Sequence, residues 1–125
     1  MKKKILFLCL IGTLSITSAY AKCDGGTEVT NTAGTTFCKS NVSMNWWSAA
    51  AWCKANGLHL ATMYEMCPSW DGNTGTDKCP ELSGKGNVFA LSATASGSES
   101  AFSVALAGGY VDSSNRSGIK AAFCR

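Results

Sequence analysis

The 125-residue chain carries eleven Lys and Arg against eight Asp and Glu, a formal net charge of +3, and it contains seven cysteines. Three of the cations, Lys2, Lys3 and Lys4, stand at the start of the sequence, so the rest is balanced at eight against eight and holds no basic run. That balance excludes nucleic-acid binding, which needs clustered cations to displace counterions, and it excludes electrostatic docking on an anionic membrane.

The three lysines open a signal peptide expected over residues 1–21. Ile5 to Ile16 is an apolar stretch, and Ala19-Tyr20-Ala21 has the small-x-small pattern that precedes a cut. The stretch is too short for an anchor, which needs about 20 apolar residues. The chain therefore meets the membrane only in transit. It is expected to be secreted, periplasmic or held at the cell surface, with Lys22 as its first residue. Residues 22–125 are of single-domain length. They keep Cys23, Cys38, Cys53, Cys67, Cys79 and Cys124, an even number that reads as a disulfide framework in an exported chain. Zinc and thioredoxin-type redox chemistry both call for close C-x-x-C pairs, and none occurs.

Asp24 to Thr36 is rich in Gly, Thr and Asn and predicts a short hairpin, with strands at Thr27–Thr30 and Thr35–Cys38. Asn45 to Ala55 predicts a helix. Asn45 caps it, alanines fill it, Gly57 ends it, and Trp46, Ala49, Ala50 and Cys53 share one face. Leu58 to Leu60 is a short extended piece. Thr62 and Glu65 have the spacing of a capping box over a second, brief helix ending at Cys67. Pro68 to Asn87 is a polar loop without periodicity, long enough to expect a functional role. Val88 to Leu91 is apolar. Phe102, Val104 and Leu106 alternate with Ser103 and Ala105 as in a half-buried strand. Gly108-Gly109 and Asp112 to Ser117 read as turns, and Ile119 to Cys124 as a last strand. Helices followed by a run of strands indicate an α+β domain.

Trp46, Ala49, Cys53, Gly57 and Leu60-Ala61 follow the pattern W-x-x-A-x-x-x-C-x-x-x-G-x-x-L-A, and Phe123-Cys124 closes the chain's last strand. In these features the chain resembles a C-type lectin-like domain, including the endings of its bacterial relatives. The resemblance implies two short helices packed on small antiparallel sheets, a long loop region and a disulfide-stapled core. It implies the bridges Cys23–Cys38 and Cys53–Cys124, and leaves Cys67 with Cys79. A loop as long as that between Cys53 and Cys124 makes such a bridge worth about 4 kcal/mol in the chain-entropy account. Sugar-binding members hold calcium and sugar through Glu-Pro-Asn or Gln-Pro-Asp and Trp-Asn-Asp triplets. This chain has none of them. The resemblance then implies recognition without calcium, and no cofactor or metal is expected.

Asp71, Asn73, Gly75 and Asp77 offer oxygens at alternating positions but lack the spacing and distal Glu of an EF-hand. They read as a polar loop able to contact a ligand. Trp70, set among them, is the expected aromatic anchor, and Tyr110 in the later turns is a further candidate. Trp46 is expected in the core. His59, flanked by leucines, is expected to be structural, and no nucleophile elbow occurs. The chain is accordingly not expected to be an enzyme. The candidate contacts are Trp70, Asp71, Asn73, Asp77 and Tyr110. The expected partner is a protein or glycan at the cell surface. The alternative is a structural or accessory subunit of a surface assembly such as a pilus.

Overall fold

The computed structural model describes residues 22–125; the expected signal peptide lies outside the described residues. Strand β1 (Gly26–Thr30) turns back into β2 (Thr36–Met44). Gly34, at φ +90°, takes the left-handed position of the connection. The tip is tied down by Asn31, whose side chain donates to the Met66 carbonyl at 3.0 Å and accepts from the Thr35 N–H at 2.9 Å. β2 runs well past the expected end at Cys38 because it pairs with the last strand from Cys38 to Met44, with an irregularity between Lys39 and Ser43.

Helix α1 (Trp46–Ala55) begins on Asn45, whose side chain accepts from the Ser48 N–H at 2.8 Å. It stops at Asn56 and at Gly57, whose φ of +74° reverses the chain. Ala49 and Cys53 are fully buried on its sheet-facing side. Their small side chains let the helix lie close. Helix α2 (Met63–Met66) opens with the full capping box of Thr62 and Glu65.

Strands β3 (Phe89–Gly97), β4 (Ser100–Ala105), β5 (Tyr110–Asn115) and β6 (Lys120–Cys124) complete the fold. All six strands form one sheet in the order β1-β2-β6-β3-β4-β5, antiparallel except for the contact of β3 with β6. The architecture is α+β, with one mixed sheet in place of the small antiparallel sheets expected. β6 joins the two halves.

Each face of the sheet carries its own core. α1 covers one face over Cys38, Leu60, Leu91, Ala122 and Cys124. On the other face Phe37 stacks on Phe123 at 4.7 Å, among Met63 and Met66 of α2, Leu82 of the long loop, Val104 of β4 and Leu106 just after it. The chain is held by the disulfides Cys23–Cys38, Cys53–Cys124 and Cys67–Cys79, with Cα separations of 5.5, 5.4 and 5.4 Å. These separations fall in the usual range for such bonds.

Two expectations about the last third change. Asp112 to Asn115 belongs to β5, paired along its whole length with β4, and the turn is confined to the residues after it. Cross-strand pairing outweighs the turn preference of these polar side chains. Ser103 and Ala105 are buried like Val104 and Leu106, because the α1-side face of β4 is covered as well. Ser103 stays satisfied by sharing a 2.9 Å hydrogen bond with Ser114.

Candidate functional site

The long loop is fastened at many points. Cys67–Cys79 closes its first half. Gly75 and Val111 exchange backbone hydrogen bonds at 3.0 and 3.2 Å, so the loop is bridged at one point to the outer edge of β5. The Cys79 N–H reaches the Gly109 carbonyl at 3.0 Å, and the Lys85 N–H the Leu106 carbonyl, also at 3.0 Å. Glu81 accepts from the Ser69 N–H at 2.9 Å and from its hydroxyl at 2.8 Å. Burial pushes the Glu81 carboxyl up, but the Ser69 contacts outweigh it and hold the group below its ordinary range.

Trp70 corrects the sequence reading. It is only 7% exposed and belongs to the core. Its ring meets Phe102 edge-on at 4.7 Å and lies tilted against Tyr64 at 5.1 Å. Its indole N–H donates to the Asn73 carbonyl at 2.7 Å. The polar residues around it in sequence form the outside of a turn folded over the indole. Trp70 thus anchors the loop to the protein and offers no open face for stacking on a ligand.

Asp71 and Asn73 form that turn. Asp71 accepts from the Asn73 N–H at 3.1 Å and pairs with Lys78 at 3.4 Å. The Asn73 N–H first, and then Lys78, hold the Asp71 carboxyl below its ordinary value. Asp77 is exposed and sits at φ +56°, a left-handed position that Asp tolerates through its short polar side chain. Among the described residues, Cys67, Cys79 and Glu81 form the one three-membered group of potential metal-ligating side chains. Both sulfurs there are spent in the disulfide. His59 stands apart, its Nε2 3.0 Å from the Glu65 carboxylate.

Tyr110 is half exposed and lines a cleft of 320 Å³ with Thr74, Gly75, Thr76, Phe89, Val111 and Asp112. Strand register builds this cleft. Phe89 opposes Ala105 across β3 and β4, and Ala105 opposes Tyr110 across β4 and β5. The small Ala105 stands in register between the two aromatic residues, which are two strands or about 10 Å apart. The Tyr110 ring lies over Gly108, where an added Cβ would come within 3.0 Å of it. The looping segment at Thr74 to Thr76 supplies hydroxyls, and Asp112 a carboxylate. Such a cleft can grip an extended ligand by ring contacts and orient it by hydrogen bonds.

Of the predicted contacts, only Tyr110 lines this cleft; Asp71 and Asn73 are engaged in the Trp70 turn. Sequence reasoning missed Phe89, Thr74 and Thr76. In sequence Phe89 reads as part of an apolar run, though an alternating strand starting there turns it to the face opposite Ala90. Among the described residues no helix is long and apolar enough to cross a membrane. Comparisons with protein-family models, curated proteins and solved structures find no match to this chain.

Proposed function

We propose that the chain is an exported, non-catalytic recognition domain of C-type lectin-like architecture, which binds a protein or a surface glycan without calcium. The observation that carries this reading is the aromatic cleft where the long loop meets the sheet, walled by Phe89 and Tyr110 and edged by Thr74, Thr76 and Asp112. Half-exposed aromatic rings on a rigid strand scaffold lose little entropy on binding and are common anchors of recognition surfaces. The three disulfides suit an oxidising compartment outside the cytoplasm and keep a small domain rigid there. In the C-type lectin-like reading, the helix motif from Trp46 to Ala61 supports the assignment together with the Cys53–Cys124 bridge from α1 to β6.

The test is capture of a partner from the native surface with the exported protein, followed by affinity measurement on Tyr110→Ala and Thr76→Ala. Each should weaken binding about tenfold and leave the melting temperature within a few degrees, since surface truncations cost little stability. Chelator should change nothing. Unchanged affinity in both variants would remove the site from this cleft.

One observation favours a second reading, a subunit of a cell-surface assembly such as a pilus. β1 stands at the end of the sheet with Thr27, Glu28 and Thr30 exposed, a template on which another chain can pair. Concentration-dependent association abolished by a proline at Glu28 would support that reading over the first.

A further inference from the structure

We infer that the α1-side face next to this cleft docks an acidic segment of a protein partner; the inference rests on the recognition reading and narrows its ligand. Two cations on this face are mounted on aromatic rings. The Arg116 guanidinium lies 4.6 Å from the centroid of Trp46, and Lys120 Nζ lies 4.3 Å from the centroid of Phe89. The ion pairs among the described residues use His59, Lys78 and Arg125 as their cations, so neither Arg116 nor Lys120 has a carboxylate partner. Arg116 Nε is buried and has no hydrogen-bond partner at all. A ring holds a cation in place without neutralising it. Both groups are therefore preoriented and unspent, and a carboxylate arriving at their accessible ends pairs with them at low entropic cost.

Register places the pieces on one face. Ala90 opposes Ala121, so Lys120 stands beside Phe89, and the row continues through Ala105 to Tyr110. Trp46 donates its indole N–H to the Ser92 carbonyl at 3.0 Å, fixing the Arg116 platform to β3. Trp47, 56% exposed, follows the Trp46 platform in sequence, and Ile119, 68% exposed, precedes Lys120. Aromatic side chains with Arg are the composition of protein interfaces. A neutral sugar is served less well, because the Lys120 ammonium occupies a face of the Phe89 ring. Asp112 marks the opposite end of the row. It repels an acid there and so sets the polarity of the bound segment, with its carboxylates toward Lys120 and Arg116.

The test selects peptides from a displayed random library on the immobilised exported protein, and repeats the selection on the R116Q/K120Q double variant. Enriched peptides should carry Asp or Glu beside an aromatic residue. The best of them should bind the double variant about tenfold or more weakly and lose affinity as salt rises. R116K should recover only part of that loss, because a lysine keeps the charge but not the planar fork. The Trp46 indole N–H resonance reports that each variant keeps its fold, and K120Q alone, which leaves the Trp46 platform untouched, should show a smaller loss of the same kind. A pool without acidic enrichment, an unchanged preference in the double variant, or displacement of the peptide by a sulfated oligosaccharide at lower concentration would each overturn the inference. If Tyr110→Ala still weakens a natural partner while acidic enrichment is absent, the acidic ligand falls and the recognition reading stands. If both tests fail, both fall.

Discussion

Replacing Trp70 by alanine separates the two roles its position suggests. An exposed ligand anchor would lose affinity and keep its stability. The buried indole, packed on Phe102 at 4.7 Å and Tyr64 at 5.1 Å, should do the reverse. Removing a buried Trp costs about 3–5 kcal/mol, combining lost transfer energy with the cavity left behind. The Asn73 carbonyl also loses its 2.7 Å donor and must find water. A loss of about 4 kcal/mol in a domain of this size lowers the melting temperature by about 15–20 °C. Equilibrium urea unfolding followed by circular dichroism, with the disulfides intact, measures it. Trp70→Phe keeps a ring and loses the indole N–H, so it should cost distinctly less. A loss below about 1 kcal/mol for Trp70→Ala would mean that the loop is not anchored through this side chain, and the packing argument would fail.

Changing both Cys53 and Cys124 to serine should cost about 4 kcal/mol, against about 3 kcal/mol for Cys67 with Cys79, by the lengths of the loops they close; calorimetry of the two double variants ranks them, and the reverse order would contradict it. Gly109→Ala should destabilise by about 1–3 kcal/mol, because its Cβ would lie 2.6 Å from the Cys79 carbonyl oxygen at a φ of +75°. Gly34→Ala, at φ +90° with no heavy atom within 4 Å, should cost only about 1 kcal/mol, and equal losses would discount the clash. Burial pushes the Glu65 carboxyl up, but the Thr62 N–H and His59 outweigh it and hold the group below its ordinary 4.5. Its stabilising contribution is therefore present above that value and is lost as pH falls through the lowered one. The gap in melting temperature between the protein and Glu65→Gln should close as pH falls through that lowered value; a constant gap from neutral to acid would rule this out.

Local chemistry was legible where a rule spans a few residues. Asn45, Gly57 and the Thr62–Glu65 box announce their helix ends in sequence, and each is found in place. Pairing across the sheet was not. The turn-forming residues Asp112 to Asn115 lie in a strand because β4 offers them a complete ladder. The polar neighbours of Trp70 in sequence point to exposure, yet it is buried. What buries it, Phe102, lies far along the chain, and no local pattern carries that distance. The candidate site was half legible for the same reason. Tyr110 could be named as a polar-edged aromatic, whereas Phe89 and Thr76 join it only through strand register and the bridge at Gly75.

The place of β6 in the sheet governs the order in which the molecule can be made. The β1–β2 hairpin and the β3–β4–β5 meander are each contiguous in sequence, but in the sheet they are joined only by pairing to the last strand. Ala122 donates to the Ser40 hydroxyl across 82 residues, and Cys53 waits 71 residues for Cys124. A chain made from its N-terminus therefore starts as separate, marginal pieces and has no central strand to close on until residues 120–124 arrive. Contacts of that sequence separation form slowly, so the sheet is completed only once the last strand is in place. Shortening the chain by those few residues would cost the whole sheet rather than one edge of it.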